Sequence, residues 1–246
     1  MRNLWKAELF KISRSLNYKV LMFISIILGI SNGRLMIQNM PAITGIDMFS
    51  IIGTDILINV TLICIFAADF IGSEFTNRTF ANDILQGVSR KELFWSKSAV
   101  FFAGTLLLLY TRDLISVCMV TIYKGFGMEW GKELLGYLIN STTYCILCNT
   151  AMGSYILFVA FLIKNKIEIF AFGMGSIYVL MLVEENTQNT IFLNILRVTF
   201  VYQLNDLRYG NHTIHNPFWF IVVSSLVMMG GWIFLAIQVF KKSELK

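Results

Sequence analysis

Six stretches of this chain are long and apolar enough to cross a lipid bilayer, and this feature limits the possible folds more than any other. A helical span needs about 20 mostly apolar residues. Such stretches cover residues 20–38, 51–70, 98–123, 134–163, 167–183 and 217–240. Their apolar residues are continuous rather than alternating, which argues against a membrane β-barrel. The sequence therefore predicts an all-α, polytopic membrane protein with six transmembrane helices in a single transmembrane domain over residues 1–246.

The composition leads to the same class of protein. Hydrophobic residues make up 56% of the chain and charged residues only 14%, against about 25% charged in soluble domains. An ordinary water-soluble domain and an intrinsically disordered chain are both incompatible with these values. With 2 prolines and 4 cysteines, neither a proline-rich linker nor a disulfide scaffold is expected.

The distribution of basic residues predicts the orientation in the membrane. Fourteen of the 20 lysines and arginines fall on the side that holds both termini, and five fall on the other side. Because cytoplasmic loops are enriched in lysine and arginine, both termini are predicted to be cytoplasmic. An odd number of spans would place the two basic termini on opposite sides, so the bias also favours six spans.

Residues 1–19 are predicted to form an amphipathic helix that lies in the membrane interface. One helical face carries an apolar stripe made of Trp5, Leu9, Ile12 and Leu16. The basic residues lie off that face, where they can approach anionic lipid headgroups. The helix either anchors the first span or carries motion from a cytoplasmic partner into it.

Residues 71–97 form a polar cytoplasmic loop that is too long for a simple turn. Gly87 is a typical helix stop, and Ser89 can cap a second helix that continues into the third span. Before the glycine, a short apolar stripe indicates a first helix: Phe80, Ile84 and Leu85. The loop is either a solvated connector or a docking element for another protein. Connectors need only a few residues, so the length favours docking.

The same loop carries a resemblance to a known family. It has the form E-F-x-x-x-T-F…L…G-V-S-R-x-E…S-K, and the matching residues are Glu74, Arg78, Thr79, Leu85, Gly87, Arg90 and Lys97. With six spans and a basic amino-terminal helix, the chain resembles the ABC-2 type permeases, the membrane subunits of bacterial ATP-driven exporters. It is similar in particular to the small permeases of bacitracin, lantibiotic-immunity and phenol-soluble-modulin export systems.

The resemblance implies a function and a set of contacts. The loop would be a coupling helix seated in a groove of the ABC ATPase subunit, with ATPase-coupling residues Glu74, Arg78, Thr79, Phe80, Ile84, Leu85 and Gly87. Glu74 and Arg78 would make charged contacts, and the apolar stripe would fill the groove. Arg90 and Lys97 would anchor the inner leaflet.

Partners and location also follow from the resemblance. A second permease chain, identical or related, would complete the pathway in the bacterial plasma membrane. ATP and Mg would bind to the partner ATPase, and no cofactor would bind to this chain. The substrate would be amphipathic, such as an antimicrobial or toxic peptide.

Arg112 and Asp113 are charged residues inside the third predicted span. Ionisable groups at membrane depth face the protein interior and pair. Adjacent helical residues point about 100° apart, so each is expected to pair with another helix rather than with its neighbour. The two residues form either a structural polar lock or the lining of a substrate path or dimer interface.

An extracellular loop is predicted over residues 184–216. Its apolar residues recur at helical spacing from position 191 to 200. A helix that lies on the outer membrane face, or dips into it, is expected there.

Signals of catalysis are missing from the sequence. It contains no phosphate-binding G-x-x-x-x-G-K-[ST] loop and no H-E-x-x-H motif. His212 and His215 lack the further ligands that a zinc site needs, so no metal site is predicted. Basic residues flank the spans, so nucleic-acid binding has no support. A non-catalytic transport subunit is therefore the first hypothesis. The alternatives are a membrane scaffold or sensor and, with less support, an intramembrane enzyme.

Overall fold

The computed structural model describes residues 2–128, 131–187, 189–209 and 218–243, and the regular elements in these ranges are all helical. The helices are α1 (Arg2–Arg14), α2 (Leu16–Asn39), α3 (Gly45–Ile52), α4 (Ile56–Ala67), α5 (Ser73–Thr76), α6 (Thr79–Leu85), α7 (Arg90–Lys124), α8 (Lys132–Ile163), α9 (Lys166–Asn186), α10 (Thr190–Leu196), α11 (Phe200–Tyr209) and α12 (Phe218–Lys242). A π-helical turn at Ala68–Gly72 joins α4 to α5.

The predicted all-α fold with six candidate membrane spans is confirmed. Six helical segments have the length and apolar composition of a span: Leu16–Asn39, Ile56–Thr76, Arg90–Lys124, Leu134–Ile163, Lys166–Asn186 and Phe218–Lys242. Residues 210–217, which include His212, His215 and the predicted start of the last span, lie outside the described residues.

The interior of the bundle is formed mainly by α4 and α8. Most residues in the apolar parts of these two helices are buried, whereas fewer than a quarter are buried in α2, α9 and α12. Around this interior, α2 packs along α7 and α12 packs along α8. The exposed apolar faces of the outer helices suit a hydrocarbon environment.

The polar segment after the second span continues directly into the third. Ser89 caps α7, because its side-chain oxygen accepts a hydrogen bond from the Glu92 amide at 3.3 Å. The helix then runs without interruption to Lys124. Gly87 forms the preceding turn with φ = 92°, a conformation that glycine adopts without strain.

The second crossing differs from the continuous run over 51–70 that hydropathy indicates. A short helix, α3, comes first, and the chain is irregular at residues 53–55 before α4 begins. Backbone hydrogen bonds hold α3 to the far end of α7, where the Gly45 amide donates to the Gly125 carbonyl at 3.0 Å. Hydropathy does not detect this break because the strongly apolar residues on both sides outweigh Gly53, Thr54 and Asp55 in the average.

The segment between the fifth and sixth spans folds back into the bundle. Gln203 on α11 is fully buried. Its amide nitrogen donates to the Ser224 hydroxyl at 2.5 Å, and its amide oxygen accepts from the Ser225 hydroxyl at 3.2 Å. These bonds fix α11 against α12, so this part of the segment enters the bundle.

Small residues let α2 and α7 approach closely. Gly29 and Gly33 form a G-x-x-x-G pattern, typical of closely packed membrane helices. A Cβ atom added to Gly29 would lie 2.7 Å from the Arg112 carbonyl oxygen. The Ser116 hydroxyl also donates to the Gly29 carbonyl at 2.7 Å.

Replacing Gly29 is therefore expected to separate these helices. Gly29→Val places its Cβ against rigid backbone and should destabilise the protein by about 1–3 kcal/mol. Thermal unfolding in detergent, followed by size-exclusion chromatography, measures the effect. Gly230→Val is the control, because an added Cβ there meets nothing within 4 Å. Equal losses in both variants would contradict close packing of α2 on α7.

Candidate functional site at the terminal end of the bundle

The candidate site lies at one end of the bundle. We call this the terminal end, because it holds both α1 and the last turn of α12. The α4–α5 segment also finishes here, α6 follows it, and α7 begins. Side chains from all these elements converge. The site therefore connects the polar segment over residues 71–97 with four of the spans.

An ion network lies at the centre of this end. The side chain of Lys97 is fully buried, and its Nζ lies 2.6 Å from Glu8 Oε2 and 2.8 Å from Glu74 Oε2. Lys11 also pairs with Glu74. We call Glu8, Lys11, Glu74 and Lys97 the buried ion network. Its two positive and two negative charges balance, as burial of charge requires.

The Lys97 ammonium group is further enclosed by aromatic rings. It lies 5.4 Å from the centroid of the Phe70 ring and 5.8 Å from that of Phe80. Cations are attracted to the faces of such rings at these distances. The network thus joins α1, α5 and α7, and the Phe70 and Phe80 rings flank its buried ammonium group.

Lys11 is the half-exposed member of the network. Burial alone would lower its pKa, but the hydrogen bond to Glu74 and the charges of Glu74 and Glu8 outweigh this effect and raise the pKa above its ordinary value. Lys11 therefore stays charged at physiological pH.

Beside the network lies a group of phenylalanines that we call the aromatic cluster: Phe75, Phe80, Phe94, Phe161 and Phe240. Ring centroids are 4.6 Å apart for Phe75 and Phe80, and 5.3 Å apart for Phe80 and Phe240. The rings come from α5, α6, α7, α8 and α12, so movement of α6 must displace or carry several spans.

Arg90 connects the start of α7 with the end of α12. Its guanidinium Nη1 donates to the carbonyls of Phe240, Lys241 and Ser243 at 3.2, 3.0 and 2.9 Å. Carbonyls in the last turn of a helix lack the regular helical donors, and a cation at a helix carboxyl end is favourable. Arg90 is thus a helix cap rather than the lipid anchor that the sequence suggested.

The structure places two of the predicted ATPase contacts in the interior of this chain. Phe80 is fully buried and Glu74 is 2% exposed, so both side chains contact residues of the chain itself. Lys97, expected as a lipid anchor, is buried as well. Helical periodicity identified the apolar positions, but it could not tell which of them face the bundle.

The outer side of α6 remains available for contact. Leu85 is 85% exposed, and Ile84 is only partly buried. Thr79 is half-buried, and Gly87 lies in the turn that follows. We call the exposed side the α6 face, which consists of Arg78, Asn82, Leu85 and Gln86. Arg78 starts this helix in the left-handed conformation, with φ = 57°.

The predicted apolar stripe of the amino-terminal helix is divided by the structure. Trp5, Leu9 and Leu16 are exposed, but Ile12 is buried against the bundle. The reason is that Glu8 and Ile12, one turn apart, form the inward face of α1. Leu16 belongs to the next helix, because α1 ends before the Ser15 cap.

Arg112 and Asp113 pair with each other, contrary to expectation. Arg112 Nε and Nη2 donate to Asp113 Oδ1 at 2.9 and 2.6 Å. The two Cα–Cβ bonds diverge, but the long arginine side chain turns back along the helix. Arg112 is fully buried, and this pair lies in the opposite half of the bundle from the ion network.

The sequence prediction gives no role to Glu8 and directs Lys11 and Lys97 toward lipid headgroups. Glu8 is the single acidic residue of the basic α1, and this was a signal that could have indicated an ion pair. Within the described ranges, no three His, Cys, Asp or Glu side chains converge as they would around a metal ion.

A bundle of six candidate membrane spans, with a short helix held at one end, defines a multi-pass membrane protein. Comparison with known families gives the class a more specific identity. The profile of the ABC-2 family transporter proteins matches residues 4–182, and the chain belongs to this family. A search of curated proteins finds no match.

Membership of this family makes the chain a membrane component of an ABC transporter. Such components are generally non-catalytic and work with an ABC ATPase subunit. The match extends from α1 through most of α9 and therefore includes every residue of the buried ion network and the α6 face.

Removal of the buried ammonium tests the network. Lys97→Met should leave Glu8 and Glu74 as buried carboxylates with less compensation and destabilise the protein by about 3–5 kcal/mol. The midpoint of thermal unfolding in detergent provides the measurement. Lys91→Met changes an exposed lysine on the same helix and should have little effect. A Lys97→Met midpoint as high as that of the control would contradict the structural role of the network.

Proposed function

We propose that this chain is the permease subunit of an ATP-driven exporter and that the α6 face is the docking surface for its ATPase subunit. The observation that carries the proposal is the combination of an exposed apolar tip and a rigid attachment. Leu85 projects outward from α6, while Phe80 on the other side of the same helix is embedded in the aromatic cluster.

The chemistry of the α6 face suits a protein partner. Leu85 supplies an apolar side chain that can fill a pocket, and such anchors contribute most of the binding energy at interfaces. Arg78 supplies a charge next to it, which favours orientation and fast association. Asn82 and Gln86 add hydrogen-bonding groups around the apolar centre.

Two routes can transmit force from this surface to the spans. Through Phe80, displacement of α6 acts on the cluster rings of α7, α8 and α12. Through α5, it acts on Glu74 and hence on Lys97 and α1. In this proposal ATP binding closes the ATPase dimer, which pushes α6 and shifts the spans between access states.

The proposal includes a second permease chain, identical or related, because six spans would form only half of a pathway. ATP and Mg would bind to the ATPase subunits and not to this chain. Since an ABC ATPase is cytoplasmic, the terminal end and both termini would face the cytoplasm. The positive-inside distribution of the basic residues supports this orientation.

An amphipathic substrate is proposed, such as an antimicrobial or toxic peptide, in line with the resemblance to bacitracin, lantibiotic-immunity and phenol-soluble-modulin permeases. A groove of about 730 Å³ between α8, α9, α11 and α12 supports this class. Its walls are mainly apolar, and its polar groups include Tyr155 and Ser176, whose hydroxyls are 2.7 Å apart. Such a groove suits a molecule with a large apolar part.

The docking surface can be tested with Leu85→Ala. Loss of the exposed anchor should reduce retention of the ATPase subunit at least about tenfold, which corresponds to about 1.4 kcal/mol. Tagged protein is extracted in detergent from its host. Co-purified subunits are identified by mass spectrometry as carrying a phosphate-binding loop, and their ATP hydrolysis is assayed.

Leu135→Ala is the matched control. Leu135 is also an exposed leucine, but it lies on α8 at the opposite end of the bundle. It should retain the ATPase fully. Equal retention by both variants would overturn the docking assignment, and absence of any ATPase from the wild-type extract would favour a scaffold or sensor instead.

A further inference from the structure

The groove between α8, α9, α11 and α12 lies at membrane depth. Its lining on α9 extends from Ala171 to Leu180, which is about 14 Å along a helix. Ala171 follows the start of α9 at Lys166 by five residues, and Leu180 precedes its end at Asn186 by six. Because the hydrocarbon core of a bilayer is about 30 Å thick, the groove falls within the apolar layer.

The groove opens sideways, towards the lipid. On α9, Phe172 is 54% exposed and Val179 is 56% exposed, so this wall can be reached from outside the bundle. The inner side of the groove is formed by Tyr155 of α8, and the next two residues of that helix, Ile156 and Leu157, are fully buried. A molecule in the surrounding bilayer can therefore enter the groove without crossing a polar boundary.

The hydroxyl groups of the groove already donate hydrogen bonds within the chain. The Tyr155 hydroxyl donates to Ser176 Oγ at 2.7 Å, and the Ser176 hydroxyl donates to the Gly173 carbonyl at 3.1 Å. The Thr199 hydroxyl donates to the Leu196 carbonyl at 2.6 Å. The described residues of the lining include no charged side chain. The groove therefore suits an apolar ligand rather than a charged one.

The size of the groove requires an occupant. Its volume is about 730 Å³, whereas voids in packed proteins seldom exceed the size of a water molecule. Water is a poor occupant, because a buried water needs polar partners. Aromatic rings form part of the wall: the Tyr155 ring lies 4.9 Å from that of Trp232 and 6.3 Å from that of Phe200. These surfaces favour contact with hydrocarbon.

We propose that the groove binds one acyl chain of a phospholipid from the surrounding bilayer. Its length along α9 is close to half the thickness of the hydrocarbon core, the distance that one acyl chain covers in its leaflet. Four helices surround the chain, so it makes more contacts than a lipid at the outer surface. This occupant agrees with the substrate class proposed above, because the apolar part of an amphipathic molecule would replace the chain.

Photolabelling from within the bilayer tests this site. The full chain is placed in nanodiscs of phosphatidylglycerol that carries a diazirine midway along one acyl chain. After illumination, tandem mass spectrometry locates the labelled residues. Three tyrosines report the result: Tyr155 in the groove, Tyr178 on the outer surface with 51% exposure, and Tyr144, which is fully buried. Tyr155 should be labelled to an extent similar to Tyr178, and Tyr144 should remain unlabelled.

A narrowed groove gives a second arm. Gly175 lines the groove, and an added Cβ there meets nothing within 4 Å, so Gly175→Phe can be accommodated. Its ring should take contacts from the acyl chain and lower the label at Tyr155 at least about threefold. Gly230→Phe is the matched control and should leave this label unchanged. An added Cβ at Gly230 is equally unobstructed, and this residue lies on the opposite side of α12 from Trp232.

A Tyr155 label no stronger than that of Tyr144 would overturn the proposal, since protein, such as a helix of a second permease chain, would then cover the groove. Equal Tyr155 labels in Gly175→Phe and Gly230→Phe would overturn it as well. If Gly175→Phe does not fold, the comparison of the tyrosines in the unchanged chain decides. Leu85→Ala should not alter the label, so ATPase docking can fail without affecting this site.

Discussion

An ammonium group buried inside a protein needs negative partners at contact distance, and the position of Lys97 imposes that requirement on three parts of the chain. Glu8 must come from α1 and Glu74 from the end of the second span. The amino-terminal helix is therefore held against the bundle by charge as well as by apolar contact. The neighbouring aromatic cluster depends on the same arrangement, because Phe80 lies within reach of the Lys97 ammonium.

The two ends of the bundle are built on different principles. At the terminal end, balanced charges, aromatic contacts and the Arg90 cap connect six helices: α1, α5, α6, α7, α8 and α12. In the opposite half, the chain is irregular at residues 53–55, between α3 and α4. A force applied at the first end would therefore act on several spans at once.

Local features of the fold could be predicted from the sequence because they depend on neighbouring residues. The six apolar runs, the Gly87 turn and the Ser89 cap each follow from a few consecutive positions. The direction in which a side chain points could not be predicted, since it depends on residues that are distant in the sequence. Glu8, for example, pairs with Lys97, which lies 89 positions later. The same limit explains Phe80 and Ile12, whose apolar character was evident but whose inward direction was not. For Arg112, side-chain length mattered more than the angle between neighbours.

The cap formed by Arg90 has a consequence for biogenesis. Its acceptors lie 150–153 positions later in the sequence. The Arg90 guanidinium can therefore form these hydrogen bonds only after the sixth span has been synthesised. Phe240 likewise reaches the aromatic rings only at that stage. In a nascent chain halted after its fifth span, Arg90 would lack its carbonyl acceptors, and the aromatic cluster would lack the Phe240 ring. Because incomplete chains with exposed apolar surface are prone to aggregate, insertion of the sixth span protects the terminal end of the molecule from aggregation.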